Sequence, residues 1–482
     1  MDLEYIQKNI SSATDFVPKI LSLHKPLYKQ KDYAMYNVDN HQVNSLYYRP
    51  NKTVNIPSPD GATDKDGEAV MIPTIELVTR ISLGFQKLIT TIGTSFATGG
   101  GVELKAKTKE EEKPMFEKVQ DIWNKEKLDF KNYDILETLY SQKEVAEIWY
   151  TEKPKTATKI QDVKLKCNVY KPSDGYELIP VFDSTRNMTA FGLSYVVIID
   201  EKEIQRLDFY TDEKLIKYIK TDKDWEIENT ITLIYGKIPV IYYPAKYSIW
   251  EDVQQIINRM EDLISNFGDT NDYNGSPILF AEGEIKGFSK KGETGKVIEG
   301  ENDSKLSYVS NNAVPESIKL EIETLKDLMY TITLTPDLSF RTMVNLGNVS
   351  GIAMDRILTG AHLKAKKIQN GIYGEGIQRR LNFLVSAMAN IDSNLEAGKN
   401  VTISAEFNLF RIADTQEKIT NLLLANGNLP IIDHFSSVVR GDLCDNPKES
   451  FDLIEKNIEK QNAVANTSSS TGNNANNIKQ NQ

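Results

Sequence analysis

The residues best suited to chemistry are two acid–lysine triplets, Asp200-Glu201-Lys202 and Asp212-Glu213-Lys214. A carboxylate with a lysine two positions on is an arrangement that can hold a metal and steady an attacking water, as in a metal-dependent nuclease. Each triplet follows a run of β-formers, Tyr195–Ile199 and Ile204–Tyr210, so both fall where a meander must reverse and charge faces solvent. No further carboxylate stands at a spacing that completes a metal site, and the turn reading takes precedence. Gly292-Glu293-Thr294-Gly295-Lys296 imitates a phosphate loop but has Lys290 and Val297 where Gly and Ser or Thr are required. Gly371-Ile372-Tyr373-Gly374-Glu375-Gly376 lies within a helical pattern instead of behind a strand, so it is no dinucleotide fingerprint. The acidic stretches 60–68 and 269–282 lack the ligand order of a calcium loop. The four histidines, His24, His41, His362 and His434, share no ligand spacing, and Cys167 and Cys444 form no CxxC pair. The expectation is a chain that is not an enzyme, with no cofactor and no metal.

The elements around these residues alternate between two periods. Apolar positions recur at three and four over 75–96, 109–124 and 132–147, predicting three amphipathic helices. A β-rich stretch follows, with runs at 195–199, 204–210, 214–219 and 230–235 separated by short polar turns, which predicts an antiparallel meander. Helices are predicted again over 249–267 and 316–333, bracketing a glycine-rich segment with short strand pieces at Ile278–Phe280 and Leu306–Val309. That segment is too small to bury a core of its own, and its strand edges call for partners. After an aperiodic loop, a helical stripe runs over 351–390; about 40 residues of helix span roughly 60 Å. Gly360, Gly371, Gly374 and Gly376 within it predict a kink or close helix contact. One strand (401–410) and two helices (414–425 and 448–460) follow. Residues 1–70 are polar, tyrosine-bearing and broken by Pro and Gly, which predicts an irregular arm. The Asn/Ser/Thr/Gln tail from Gln461 predicts disorder.

Composition narrows the classes. A net charge of −11 over 482 residues argues against a protein that grips nucleic acid along its whole surface. No run approaches the roughly 20 apolar residues of a membrane helix, and Met1-Asp2-Leu3-Glu4 has no signal-peptide character. Synthesis in a reducing cytoplasm, without a membrane partner, is expected. Lys286, Lys290, Lys291 and Lys296 alternate with Glu282, Glu284, Glu293 and Glu299, which describes a mixed-charge surface.

Three motifs carry a resemblance. Gly347-Asn348-Val349-Ser350-Gly351-Ile352-Ala353-Met354 resembles the Gly-Asn-x-Ser-Gly-x-Ala-Leu signature of the portal proteins of long-tailed phages of the Gram-positive siphovirus type. Gly236-Lys237-Ile238-Pro239-Val240, with a helix about ten residues on, is similar to the Gly-x-x-Pro-Val segment of the same family, and 407–414 is similar to its strand before the C-terminal helices. Val145-Ala146-Glu147-Ile148-Trp149-Tyr150 departs from the Gly-x-Ala turn of the family pattern. The resemblance spans about residues 75–460.

It implies an α+β portal fold, mainly helical, with an antiparallel β-rich wing, long stem and wing helices and a small β-containing clip. The implied parts are an arm (1–70), wing (71–245 and 351–412), stem helices (246–274 and 314–334), clip (275–313), tunnel loop (335–350), crown (413–460) and disordered tail (461–482). Arg341, Thr342, Met343, Val344, Asn345, Leu346, Gly347 and Asn348 would face DNA in the tunnel. Lys286, Lys290, Lys291 and Lys296 would face the head–tail adaptor, and Gly347, Asn348, Ser350, Gly351 and Ala353 form the signature. The implied function is a twelve-fold ring at the capsid vertex of the virion, through which double-stranded DNA is packaged, retained and ejected. The implied partners are the terminase large subunit, then the adaptor, with major capsid and scaffold proteins alongside. The competing readings are another head–tail connector ring and a metal-dependent nuclease using Asp200 and Lys202.

Overall fold

β-Branched and aromatic residues dominate 177–232, and they build a five-stranded antiparallel sheet ordered β10-β9-β8-β7-β6. Its strands are β6 (Glu177–Phe182), β7 (Met188–Ile199), β8 (Lys202–Tyr210), β9 (Lys214–Lys220) and β10 (Trp225–Thr232). The meander expected from the sequence is therefore present, with longer strands and one further member, β6. The computed structural model describes residues 3–152, 164–274, 278–282, 285–287, 299–300, 305–309, 314–340, 342, 356–408, 410, 415–427, 430–441, 443–444 and 446–476. Two units contain them: 1–339 with 358–410, and 340–357 with 411–482.

Both faces of the five-stranded sheet are covered in the first unit. One face presents Ile179, Val181, Ala190, Leu207, Phe209, Ile216 and Tyr218 to α1 (Leu3–Asn9) and α2 (Ala13–Leu23), which bury Ile6, Phe16, Val17 and Ile20. Phe16 meets Phe209 edge-on at 5.0 Å. The start of the chain is thus helical and part of the core, a correction to the irregular arm. Both glycines and three of the five prolines of 1–70 fall in 50–67; Pro18 lies inside α2, yet the 16-17-20 stripe around it keeps ordinary helical spacing. The opposite face packs Leu178, Phe191, Leu193, Tyr210 and Leu215 on Ala146, Ile148, Val240 and Tyr242. The last four belong to a three-stranded sheet, β11-β4-β5, made by β4 (Glu144–Glu152), β5 (Lys164–Tyr170) and β11 (Val240–Pro244).

Helices close the far side of that smaller sheet: α4 (Phe85–Thr98), α5 (Lys113–Lys125) and α6 (Leu128–Gln142), then α9 (Thr359–Gln369) and α10 (Ile372–Ile391). Two expected boundaries are corrected. The helix placed at 132–147 ends at Gln142, where Lys143 turns left-handed (φ 70°) into β4. Strand β4 is buried on both faces from Glu144 to Trp149 and shows no alternation. The helix placed at 75–96 starts only at Phe85, because residues 77–84 run extended along another helix. The long stripe over 351–390 is broken as expected: α9 and α10 meet at Asn370-Gly371. At Gly376 an added Cβ would lie 2.0 Å from the Tyr243 ring, so α10 crosses β11 at glycine contact distance. A short ribbon, β3 (Val102–Ala106) with β16 (Ile403–Phe407), completes this layer.

Helices α7 (Gln254–Asn274) and α8 (Val314–Thr333) form a separate pair in the same unit. Between them the strand pieces pair with each other: β12 (Ile278–Glu282) with β15 (Lys305–Val309), and β13 (Ile285–Gly287) with β14 (Glu299–Gly300). The segment ahead of the core contributes α3 (Gln30–Ala34) and a ribbon of β1 (Lys52–Pro57) and β2 (Met71–Glu76).

The second unit holds α11 (Thr415–Ala425), α12 (His434–Gly441) and α13 (Pro447–Asn476). Phe435 packs edge-on against Phe451 at 5.4 Å, and Asn426 donates to the Ser437 hydroxyl at 2.6 Å. Helix α12 had no strong signal in the sequence. The sequence predicts disorder from Gln461, and α13 runs past that point to Asn476. No Pro or Gly interrupts 448–471, so the backbone ladder continues without an apolar face to bury.

Candidate functional site

The α7–α8 pair is antiparallel. Met329 of α8 joins Val253, Ile257 and Met260 in a cluster that also holds Ile89 and Trp250, and Arg259 pairs with Glu321 at 2.9 Å. The segment joining the two helices therefore lies at the end away from this cluster. On its outer side α8 leaves Leu320, Leu328 and Ile332 exposed, a stripe at helical spacing with no cover in the single chain.

A different face of α7 is a polar receptor for the beginning of the chain. Glu261, Ser265 and Asp269, one turn apart, accept the backbone N–H groups of Leu83 (2.7 Å), Ile81 (3.0 Å) and Thr79 (2.7 Å) in reverse order. These are amides that a helix over 77–84 would have needed, which explains why that stretch is extended. Arg49 donates to Asn266 at 2.7 Å and Asp269 at 2.6 Å, and the Tyr48 hydroxyl donates to Asp262 at 2.8 Å. His41 and Glu261, both almost fully buried, meet at 2.5 Å through Nδ1, while Nε2 faces the Met35 carbonyl at 2.9 Å. Both neighbours are acceptors, so the ring satisfies them as an imidazolium. Burial pulls the His41 pKa down, but the hydrogen bond and charge of Glu261 outweigh it and hold the pKa above its ordinary value. At Asp269 burial is likewise outweighed by the Thr79 and Arg49 donors, and its carboxyl sits below the usual range.

A second polar node ties α10 to the sheets. The Arg380 guanidinium donates through Nε and Nη2 to the Glu147 carboxylate at 2.5–2.9 Å, and through Nη1 to Asn132 at 2.6 Å. Neither charged side chain is exposed. Trp149 Nε1 also donates to Glu147, and the Trp123 ring lies 5.4 Å from the guanidinium. The only trace of this pair in the sequence is a carboxylate inside the apolar run Val145–Tyr150. Lys364 of α9 is half-buried and donates to Thr335 Oγ1 at 3.3 Å, and desolvation pushes its pKa down to about 8.

The predicted site residues fare unevenly. Arg341, Met343, Val344, Asn345, Leu346, Gly347, Asn348, Ser350, Gly351 and Ala353 lie outside the described residues, as do Lys290, Lys291 and Lys296; Thr342 is helical and half-buried. Lys286 falls in β13. Asp200 (φ 50°) and Glu201 (φ 64°) are the two left-handed residues of the β7–β8 hairpin turn, and both are exposed. Asp212 and Glu213 occupy the next reversal, also exposed. Among the described residues no three His, Cys, Asp or Glu side chains converge as a metal site. Cys167 is buried beside Lys131 (Nζ–Sγ 3.2 Å), and burial pushes its thiol up to about 12. No helix of the described residues is long and apolar enough to cross a membrane.

The described residues thus form an α+β body with an antiparallel helix pair, between whose helices the small strand pairs lie in sequence. The family of phage portal proteins of the SPP1 Gp6-like type matches residues 30–464, and the chain belongs to that family. It is a structural component of the bacteriophage capsid vertex, associated with genome packaging and the passage of DNA. No curated protein matches the chain.

Proposed function

We propose that twelve copies of this chain form a ring whose bore conducts double-stranded DNA during packaging, retention and ejection. The family match supports this reading, and the exposed Leu320, Leu328 and Ile332 stripe of α8 carries it physically. An apolar stripe on a polar stem is covered when neighbouring stems stand side by side. In this reading α7 and α8 are the stem, 275–313 the clip that receives terminase and later the adaptor, and 335–350 the loop facing DNA. The remainder of the first unit is wing, and 413–460 is crown. Copies of a chain at −11 build an acidic assembly, whose field discourages a duplex from sticking as it slides. Electron microscopy of the purified chain tests the proposal. Twelve-fold rings with a hole about as wide as a DNA duplex are expected; small closed oligomers without a hole would refute it.

A further inference from the structure

A groove of about 780 Å³ opens between α2 and β6, with Ile20, Ile179 and Val181 buried on its floor and Leu23, Leu27 and Phe182 exposed at its rim. Lys19 and Lys25 also line it; both are exposed, and neither is in an ion pair among the described residues. No carboxylate is among the lining residues. In a chain of net charge −11, this is a patch of unbalanced positive charge around an apolar floor. Such a surface selects an occupant that is apolar and acidic at once.

The β7–β8 hairpin has that description. Val196 and Ile198 are 55% and 75% exposed, and in the ladder they stand opposite Gln205 and Glu203 of β8. Opposed residues of an antiparallel pair share a face, so the exposed Glu203 carboxylate flanks the apolar pair. Asp200 and Glu201 add acidic charge at the two-residue turn just beyond, and the tightness of that turn holds the tip in shape before any contact is made. The hairpin cannot serve its own groove. Ile179 on the groove floor pairs with Gly192, six residues before Ile198, so tip and groove lie roughly 20 Å apart along the strands.

We infer that the β7–β8 hairpin of a second copy seats Val196 and Ile198 in this groove, with Glu203 facing Lys19 and Lys25. The two surfaces match in apolar character and are opposite in charge, and every copy carries both at separate places. The contact is heterologous, the tip of one copy in the groove of the next, which is the kind that closes a ring. It rests on the proposed ring assembly and adds to it a specific contact between neighbouring copies.

The test uses rings of the full-length chain with photo-reactive benzoylphenylalanine in place of Ile198, assembled from equal parts of isotopically heavy and light copies. Irradiation should join heavy to light copies, with links mapping to 19–27 or 179–182. Intact rings with links mapping elsewhere, or with none, would mean that the groove takes another occupant and would overturn the inference while leaving the portal reading in place. Absence of rings from the unsubstituted chain would sink that reading, and this contact with it. Charge reversal gives an independent measure. Glu201→Lys/Glu203→Lys should raise the concentration of half-assembly about tenfold at low salt, because like charges then meet across the contact. Adding Lys19→Glu/Lys25→Glu should return it to within about twofold of the unsubstituted chain. An unshifted concentration in the first variant, or no recovery in the second, would overturn the pairing.

Discussion

Breaking the Arg380–Glu147 pair from one side should unfold the first unit far more readily than removing both charges together. In Glu147→Leu the guanidinium keeps its Asn132 bond but loses all three contacts to carboxylate oxygen, and neither side chain is exposed to solvent. Loss of one partner of a fully buried pair costs about 3–5 kcal/mol. Arg380→Met leaves Glu147 with the Tyr243 hydroxyl at 3.3 Å and the Trp149 indole, which satisfy part of its charge, so its cost should fall nearer about 3 kcal/mol. The double variant Glu147→Leu/Arg380→Met fills a similar volume with apolar atoms, and its cost should be within about 1–2 kcal/mol of zero. Urea unfolding followed by far-UV circular dichroism gives the three values and hence the coupling. Additive single effects, or a Glu147→Leu cost below about 1 kcal/mol, would refute the view that this node locks α10 to β4.

Other consequences are open to measurement. Because the folded pKa of His41 is raised, its contribution to stability is full below the ordinary 6.5 and is lost as pH rises through the folded value. Hydrogen exchange at residues 79–83 should therefore quicken with pH beyond the intrinsic rate, and His41→Ala should abolish the excess; an unchanged slope in that variant would count against the clamp. Lys364 has the opposite sense: its folded value of about 8 lies below the ordinary 10.5, so stability rises as pH climbs between the two. Lys364→Met should be more stable at pH 7 and lack that rise, and a parallel pH profile would argue against it. Gly376→Ala should lower stability by about 1–3 kcal/mol through the clash with Tyr243, read as a shifted urea midpoint without a change of slope.

The meander and the α7 and α8 helices were legible in the sequence because each shows its exposed and buried faces within a few residues. The acid–lysine triplets were legible as turns for the same local reason. Strand β4 was not, since burial on both faces removes the alternation that marks a strand. Residues 75–84 carried a helical stripe, yet side chains on α7 took their amides, an outcome set by partners more than 170 positions away. The α1–α2 core likewise depends on a sheet built from residues far along the chain.

Sequence alone settled the local periods, the acidic balance and, through its motifs, the family. Tertiary structure decided which polar groups are buried against each other: Glu147 with Arg380 and His41 with Glu261. Burial of charge depends on what the fold brings alongside, and neither spacing nor composition encodes that at short range.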